Sequence, residues 1–303
     1  ADSNDQLNDD NPFWLGAGTS IVNTNAPATT TDLLLSLGIQ TGATEAFIGN
    51  ANVGQVAGLT VGNVSVDAFA SGVAVADAYG VAAGIGPLAV TANIAIAKTD
   101  PTVTAAIFDG AKVNVAGDLS VKARSLGNAH AFAVGVAVSG GVSLGGSIAK
   151  AEVRPTTRAS IGANTRIGAG GAVRVVARHN QDDSGIPLTW GARANSAAGS
   201  GGLLVGAALV YGNADSAAQV DSSIGSGAEV DAGTGSVTVV AASKNIAEAD
   251  STGVAAGTGA ISSPTATATI GGHTWSYVQG NIRKGGTGTA SGAGSLTIAA
   301  DGD

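Results

Sequence analysis

Five times along this chain, a glycine turn feeds a short strand of alternating apolar and polar residues. The copies are Ala57-Gly58-Leu59-Thr60-Val61, Ala116-Gly117-Asp118-Leu119-Ser120-Val121, Gly170-Gly171-Ala172-Val173-Arg174-Val175, Thr234-Gly235-Ser236-Val237-Thr238-Val239 and Ala293-Gly294-Ser295-Leu296-Thr297-Ile298. Counted on the apolar residue after the turn (59, 119, 173, 237, 296), the steps are 60, 54, 64 and 59 residues. A second motif accompanies them: Ala46-Phe47-Ile48-Gly49, Ala106-Ile107-Phe108-Asp109, Ala159-Ser160-Ile161-Gly162, Ser222-Ser223-Ile224-Gly225 and Ala268-Thr269-Ile270-Gly271. A unit of this size cannot bury an apolar face alone, whereas stacked copies share one continuous core.

The stretches between the motifs keep a period of two. One runs from Val73 to Ala83, breaks at Gly84-Ile85-Gly86-Pro87 and resumes from Leu88 to Ala97; another runs from Ala131 to Val138, turns at Gly140-Gly141 and continues from Val142 to Val153. Alternation broken by glycine and proline specifies strands, not helices. The expected fold is therefore all-β: a parallel β-helix or β-solenoid of about five imperfect repeats of ~60 residues. That period fits either two or three narrow rungs per unit or one broad coil. A β-sandwich is the competing architecture, and five spaced copies weigh against it.

Residues 1–40 do not follow the repeat. They read as an N-terminal cap or exchange segment, with residues 41–303 as the solenoid. The sole helical start signal is Thr31-Asp32-Leu33-Leu34-Leu35, expected to form one helical turn.

Composition narrows the class. With 47 glycines in 303 residues, 12% charged residues and a mean hydropathy of +0.28, the chain lacks the high charge and low hydropathy of disorder. Seven prolines without a triplet period exclude collagen. A net charge of −8 and a pI near 4.7, with scattered basic residues, argue against nucleic acid as a partner. There is no cysteine, which excludes disulfides and thiolate chemistry. The absence of methionine and the opening Ala1-Asp2-Ser3 suggest a trimmed, exported protein. No apolar run is long enough for a transmembrane helix, and 4% aromatics are too few for the girdles of a membrane barrel.

Chemistry is sparse. His130, His179 and His273 fall at non-equivalent places in the repeat, without metal-ligand spacing. The densest polar group is Asp182-Asp183 with His179 and Asn180, which is the candidate calcium site, although a loop rich in Asp and Asn is usually solvated turn chemistry. Thr265, Thr267 and Thr269 would line one strand face, as in flat ice-binding solenoids, but in one copy only. Four glutamates leave no carboxylate cluster for polysaccharide cleavage, so the protein is expected to be non-enzymatic and to need no cofactor other than that calcium. Open solenoid ends invite strand addition. The candidates for self-association are Phe13, Trp14 and Leu15 near one end and, at the other, Leu296 and Ile298 in a strand expected to be uncapped.

Repeats of the form A-x-I-G…A-G-x-L-x-V-x-A, exemplified by Ala116-Gly117-Asp118-Leu119-Ser120-Val121-Lys122-Ala123, resemble the repetitive β-solenoid regions of large bacterial exoproteins, filamentous-adhesin-like and autotransporter-passenger-like. The likeness covers roughly residues 45 to 300. It implies a cell-surface or matrix setting and no particular ligand. The expected function is a secreted structural subunit that assembles end to end into an extracellular filament, sheath or biofilm-matrix fibre. The alternative is an adhesin fragment that binds glycan or a host surface.

Overall fold

The computed structural model describes residues 18–24, 30–54, 61–282 and 292–303. Its strands follow one another as successive turns of a broad coil. The first turn holds β1 (Gly18–Thr24), β2 (Thr30–Ile48) and β3 (Asn52–Val53). The second holds β4 (Val64–Gly84), β5 (Leu88–Ile107) and β6 (Lys112–Val115). The third holds β7 (Leu119–Ser139), β8 (Val142–Val153), β9 (Thr156–Ile161) and β10 (Arg166–Ala169). The fourth comprises β11 (Val173–His179), β12 (Ala192–Gly202), β13 (Val205–Ser216), β14 (Gln219–Ile224) and β15 (Glu229–Asp231). The fifth comprises β16 (Ser236–Ser243), β17 (Ala247–Ala256), β18 (Gly259–Ile270), β19 (His273–Val278) and β20 (Asn281–Ile282), and β21 (Ser295–Gly302) opens a sixth.

Three sheets result, and every ladder between named strands is parallel. Sheet A stacks β1, β4, β7, β11 with β12, β16 with β17, and β21; sheet B stacks β2, β5, β8 with β9, β13 with β14, and β18 with β19; sheet C stacks β3, β6, β10, β15 and β20. The fold is thus all-β and of the parallel β-helix type, and each repeat makes one broad coil. Leu119, Val173, Val237 and Leu296 stand in one ladder, in the expected register.

Two expected anchors are corrected. Leu119 pairs with Val64, not with Leu59, which lies outside the described residues. In the fifth coil the partner of Ile224 is Val278, whereas Ile270 pairs with Ser216. The expected helical turn at Thr31 to Leu35 is also overturned. Those residues belong to β2, which pairs with β5 from Thr30 to Ile48 and so runs unbroken across residue 40. Among the described residues there is no helix, and hence none long and apolar enough to cross a membrane.

In cross-section each coil has two limbs. Where the first part of β7 and all of β11 face β9 and β14, sheet C closes a triangle filled with larger side chains: Leu119, Val121, Ile161, Ile167, Val173 and Ile224 are all buried there. Where sheets A and B run back to back, the interior is mostly small side chains: alanines such as Ala76, Ala131, Ala151 and Ala194, interspersed with glycine and with buried polar residues such as Asn93, Ser143, Ser147 and Ser196. That flat limb is thinner than the usual ~10 Å sheet spacing allows for larger side chains. A Cβ on Gly145 would lie 2.6 Å from the carbonyl oxygen of Gly199 across the limb. The triangle's corner between sheets B and C repeats one backbone device. Gly110, Asn164 and Gly227 take φ of 75°, 54° and 69° at equivalent positions, a left-handed turn that glycine adopts freely and asparagine tolerates.

A polar seam divides the limbs. Ser125, His179 and Ser243 share one ladder on sheet A, and Thr157 and Thr274 face them from sheet B, within hydrogen-bond distance of Ser125 and Ser243 respectively.

Candidate interaction sites

The two described ends of the coil are in phase. At the start of sheet A, β1 covers only Ala78 to Gly84 of β4 and leaves Val64 to Asp77 without a described neighbour on that side. At the other end, Leu296 to Gly302 of β21 occupy the ladder positions that run back through β16, β11 and β7 to Val64–Ala70. β21 therefore occupies the ladder positions equivalent to Val64–Ala70, part of the stretch of β4 that has no described neighbour on its outer side. The same tracing sets β17 opposite β1, β18 and β19 opposite β2, and β20 opposite β3. Of the self-association candidates, Leu296 and Ile298 lie on this end face, 48% and 45% exposed. Phe13, Trp14 and Leu15 lie outside the described residues.

One edge residue tempers the end face. Gly259 N donates to Leu204 O and Gly271 N to Ser216 O, so odd-numbered residues of β18 bond inward to β13. By that parity the nitrogen of Pro264 faces the open side. Proline there costs β18 no bond to β13 but removes one donor from the outer row.

Asp182 and Asp183 lie on the loop of residues 180–191, which replaces the three residues 126–128 of the coil below. Asp182 Oδ1 accepts from the main-chain N–H groups of Ser184 and Ile186, both at 2.8 Å. Asp183 pairs with Arg124 at 3.1 Å. The two carboxylates are thus engaged separately, one in a turn and one with a cation. Among the described residues no three or more His, Asp or Glu side chains gather as a metal site. Asn180, at φ 49°, anchors this loop. Its side chain accepts from Gly127 N at 2.8 Å and donates to Gly127 O and Trp190 O at 3.2 and 3.1 Å, taking the place of strand main chain where the coil bulges outward.

His179 is fully buried in the seam, with Nδ1 2.9 Å from Ser125 Oγ, which in turn lies 2.6 Å from Thr157 Oγ1. Burial pushes its pKa down to about 3, against a smaller opposing effect of a hydrogen bond with Ser125. A serine–histidine pair would ordinarily suggest a nucleophile; here both side chains are fully buried. His179 was grouped by sequence with the Asp182 loop; its side chain points the other way, into the core.

Two outward surfaces were not singled out in the sequence. On the flat limb of sheet B, Leu35, Ile94, Ile148 and Tyr211 form one apolar ladder across four coils, bordered by the ion pairs Lys98–Asp100, Lys150–Glu152 and Arg154–Asp215. On the triangular limb, β19 points His273, Trp275 and Tyr277 outward. His273 packs on Trp275 with ring centroids 4.3 Å apart. Asp221, the ladder partner of Trp275, sits beside them. The signal was present in the alternation His273-x-Trp275-x-Tyr277, three rings at period two in an aromatic-poor chain.

Comparison with family models, with known curated proteins and with solved structures finds no match. The resemblance to exoprotein solenoids therefore rests on the repeat pattern itself.

Proposed function

We propose that this protein is a non-enzymatic structural subunit whose coils stack end to end into an extracellular filament, sheath or matrix fibre. The phase relation of the two ends carries this reading. Stacked head to tail, β21 of one copy lies over Val64–Ala70 of the next, so Leu296 and Ile298 meet Val64 and Val66 in ladder register. Sheets A, B and C then continue across the junction, and edge N–H and C=O groups that otherwise face water become ladders. Pro264 withholds one hydrogen bond from the junction. The extracellular setting is part of the proposal and is supported by the resemblance of the repeats.

Electron microscopy and sedimentation of the purified chain over micromolar to millimolar concentration test it. Filaments of constant width, with diffraction at ~4.8 Å along the axis, are expected. A monomer at every concentration overturns the proposal. A second reading, a non-enzymatic adhesin segment that binds glycan or a host surface, is favoured by the outward row of rings on β19.

A further inference from the structure

We infer that each junction between copies holds one composite coil, in which β2 of the next copy closes over β21 and adds in parallel to the open edge of β19, setting its Phe47 against Tyr277. The inference rests on end-to-end stacking and goes beyond it by naming what meets the rings of β19.

The two ends carry complementary halves of a coil. In the first coil β2 and β3 supply sheets B and C, while β1, the described part of sheet A, covers only Ala78–Gly84. Ala46, Ile48 and Val53 face the core there and stay only half-buried. The last coil is the reverse. β21 supplies sheet A, no described strand of sheet B or C stands at its level, and its inward Leu296 and Ile298 remain exposed. In a complete coil the same positions are filled by Leu119 and Val121 with Ala159 and Ile161, all buried. Stacked in phase, Leu296 and Ile298 of one copy close against Ala46 and Ile48 of the next. Beside β21 lies a cleft of about 350 Å³ lined by Ser243, Ile270, Thr274 and Gly302. The ladders seat Gln40 of the next copy over Ile270, and Thr44 over Thr274.

The main chain matches as well. His273 N donates to Ala218 O, and Gln279 N, just past β19, donates to Ile224 O. Odd-numbered residues therefore bond to β14, and Thr274, Ser276 and Val278 present N–H and C=O on the open edge. Phe108 N donates to Ile48 O, so Glu45 and Phe47 present theirs on the far edge of β2. The tracing pairs Ser276 with Ala46 of the next copy, which lets Ser276 N donate to Glu45 O and Ser276 O accept from Phe47 N. Outside, Trp275 falls beside Glu45 and Tyr277 beside Phe47. Phe47 already stacks on Phe108 with ring centroids 4.8 Å apart and is 56% exposed, so Tyr277 becomes the third ring of one stack. The nineteen residues of β2 and the stretch Val64–Ala70 present about 850 Å² of edge per copy, at ~3.3 Å per residue and ~10 Å of sheet thickness. A standard stable interface buries about 800 Å² per partner.

Disulfide trapping in the full chain tests the register, since the parent has no cysteine. Trp275→Cys and Glu45→Cys chains, mixed and oxidised, can bridge only between copies. The ladder sets their Cα atoms ~4.8 Å apart, within disulfide reach, whereas Trp275→Cys with Phe47→Cys lies at about 8 Å, beyond it. Mixed dimers are expected from the first pair and not from the second. Tyr277→Ser and Phe47→Ser, both of exposed rings, should keep the parent's circular dichroism and each raise the concentration needed for assembly about tenfold, with the double variant well short of a hundredfold. Filaments without the matched bridge, or with the mismatched one, overturn the composite coil and leave end-to-end stacking standing. Assembly unchanged in both serine variants overturns the ring contact and returns the rings to the second reading. A parent that is monomeric at every concentration and gives no bridge overturns the composite coil and the stacking together.

Discussion

Asn93 fills the space that Gly135 leaves: a Cβ on Gly135 would lie 2.6 Å from Asn93 Nδ2 across the flat limb. Large residues of sheet B oppose glycines of sheet A in the same way at Val210 and Gly253. The thin limb therefore depends on particular glycines and not on glycine content. Gly145→Ala, which drives a methyl to 2.6 Å from a main-chain oxygen, is expected to lower stability by about 1–3 kcal/mol. Gly42→Ala, with nothing within 4 Å, is expected to change it by less than about 0.5 kcal/mol or to stabilise slightly. Urea denaturation of the two variants beside the parent measures the contrast; equal losses would mean that the limb is not close-packed.

Asn180 replaces ladder main chain with an amide that both accepts and donates. Asn180→Asp keeps the acceptor for Gly127 N but turns the donor toward Gly127 O and Trp190 O into a second acceptor. A fully buried carboxylate facing two carbonyls should cost about 3 kcal/mol or more. Gln181 to Trp190 should then become sensitive to limited proteolysis before the strands on either side. Uniform resistance at parent levels would show that the loop is held by other contacts.

The repeat and the strand alternation made the fold legible, because a ladder that stacks identical positions writes its period directly into the chain. The anchors failed at the first and last copies for a physical reason. The Ile-Gly motif at Ile270-Gly271 marks the bend between the flat and triangular limbs, and the strand-end position belongs to Val278. In the fifth coil both places carry glycine after an apolar strand end, Gly271-Gly272 after Ile270 and Gly280 after Val278, so the motif alone does not separate them. The two-limbed cross-section was present as a signal, in inward Val, Leu and Ile at Leu119, Val121 and Val175 and inward Ala at Ala129, Ala131 and Ala133. The Asp182 loop was legible as a turn, whereas the burial of His179 depends on strands 54 and 64 residues away in the ladder, Ser125 and Ser243.

The junction between copies should respond in both directions. Leu296→Asp with Ile298→Asp places two charges on the face proposed to meet Val64 and Val66, and should abolish filaments while leaving the monomer folded. Pro264→Val restores a donor to the open edge of β18 at an inward position whose ladder partner is Val210, and should lower the concentration needed for assembly by several-fold, the worth of one net hydrogen bond of about 1 kcal/mol. Sedimentation velocity across a dilution series reads both. If the aspartate pair assembles as the parent does, that end face is not the contact.

His179 should make the protein acid-sensitive well above the range in which carboxylates titrate. Its folded pKa is about 3, against about 6.5 when unfolded, so between those values the unfolded chain binds a proton that the folded chain refuses. Stability is therefore full above pH 6.5, falls as pH drops toward 3, and loses no more from this residue below that; the loss is about 5 kcal/mol at most. Two carboxyls add to it only at lower pH. Asp118 is held below the usual range by a hydrogen bond from Ala172 N and by Arg174. Glu152 is raised by burial, but Lys150, Arg154 and Lys98 outweigh that and hold it low overall. Urea midpoints measured from pH 7.5 to 4.5 should decline in the parent and stay nearly flat in His179→Gln, even if that variant is less stable at pH 7.5 for want of the contact with Ser125. A parent midpoint that does not move between pH 7.5 and 4.5 would mean that the seam opens enough for His179 to protonate in the folded state.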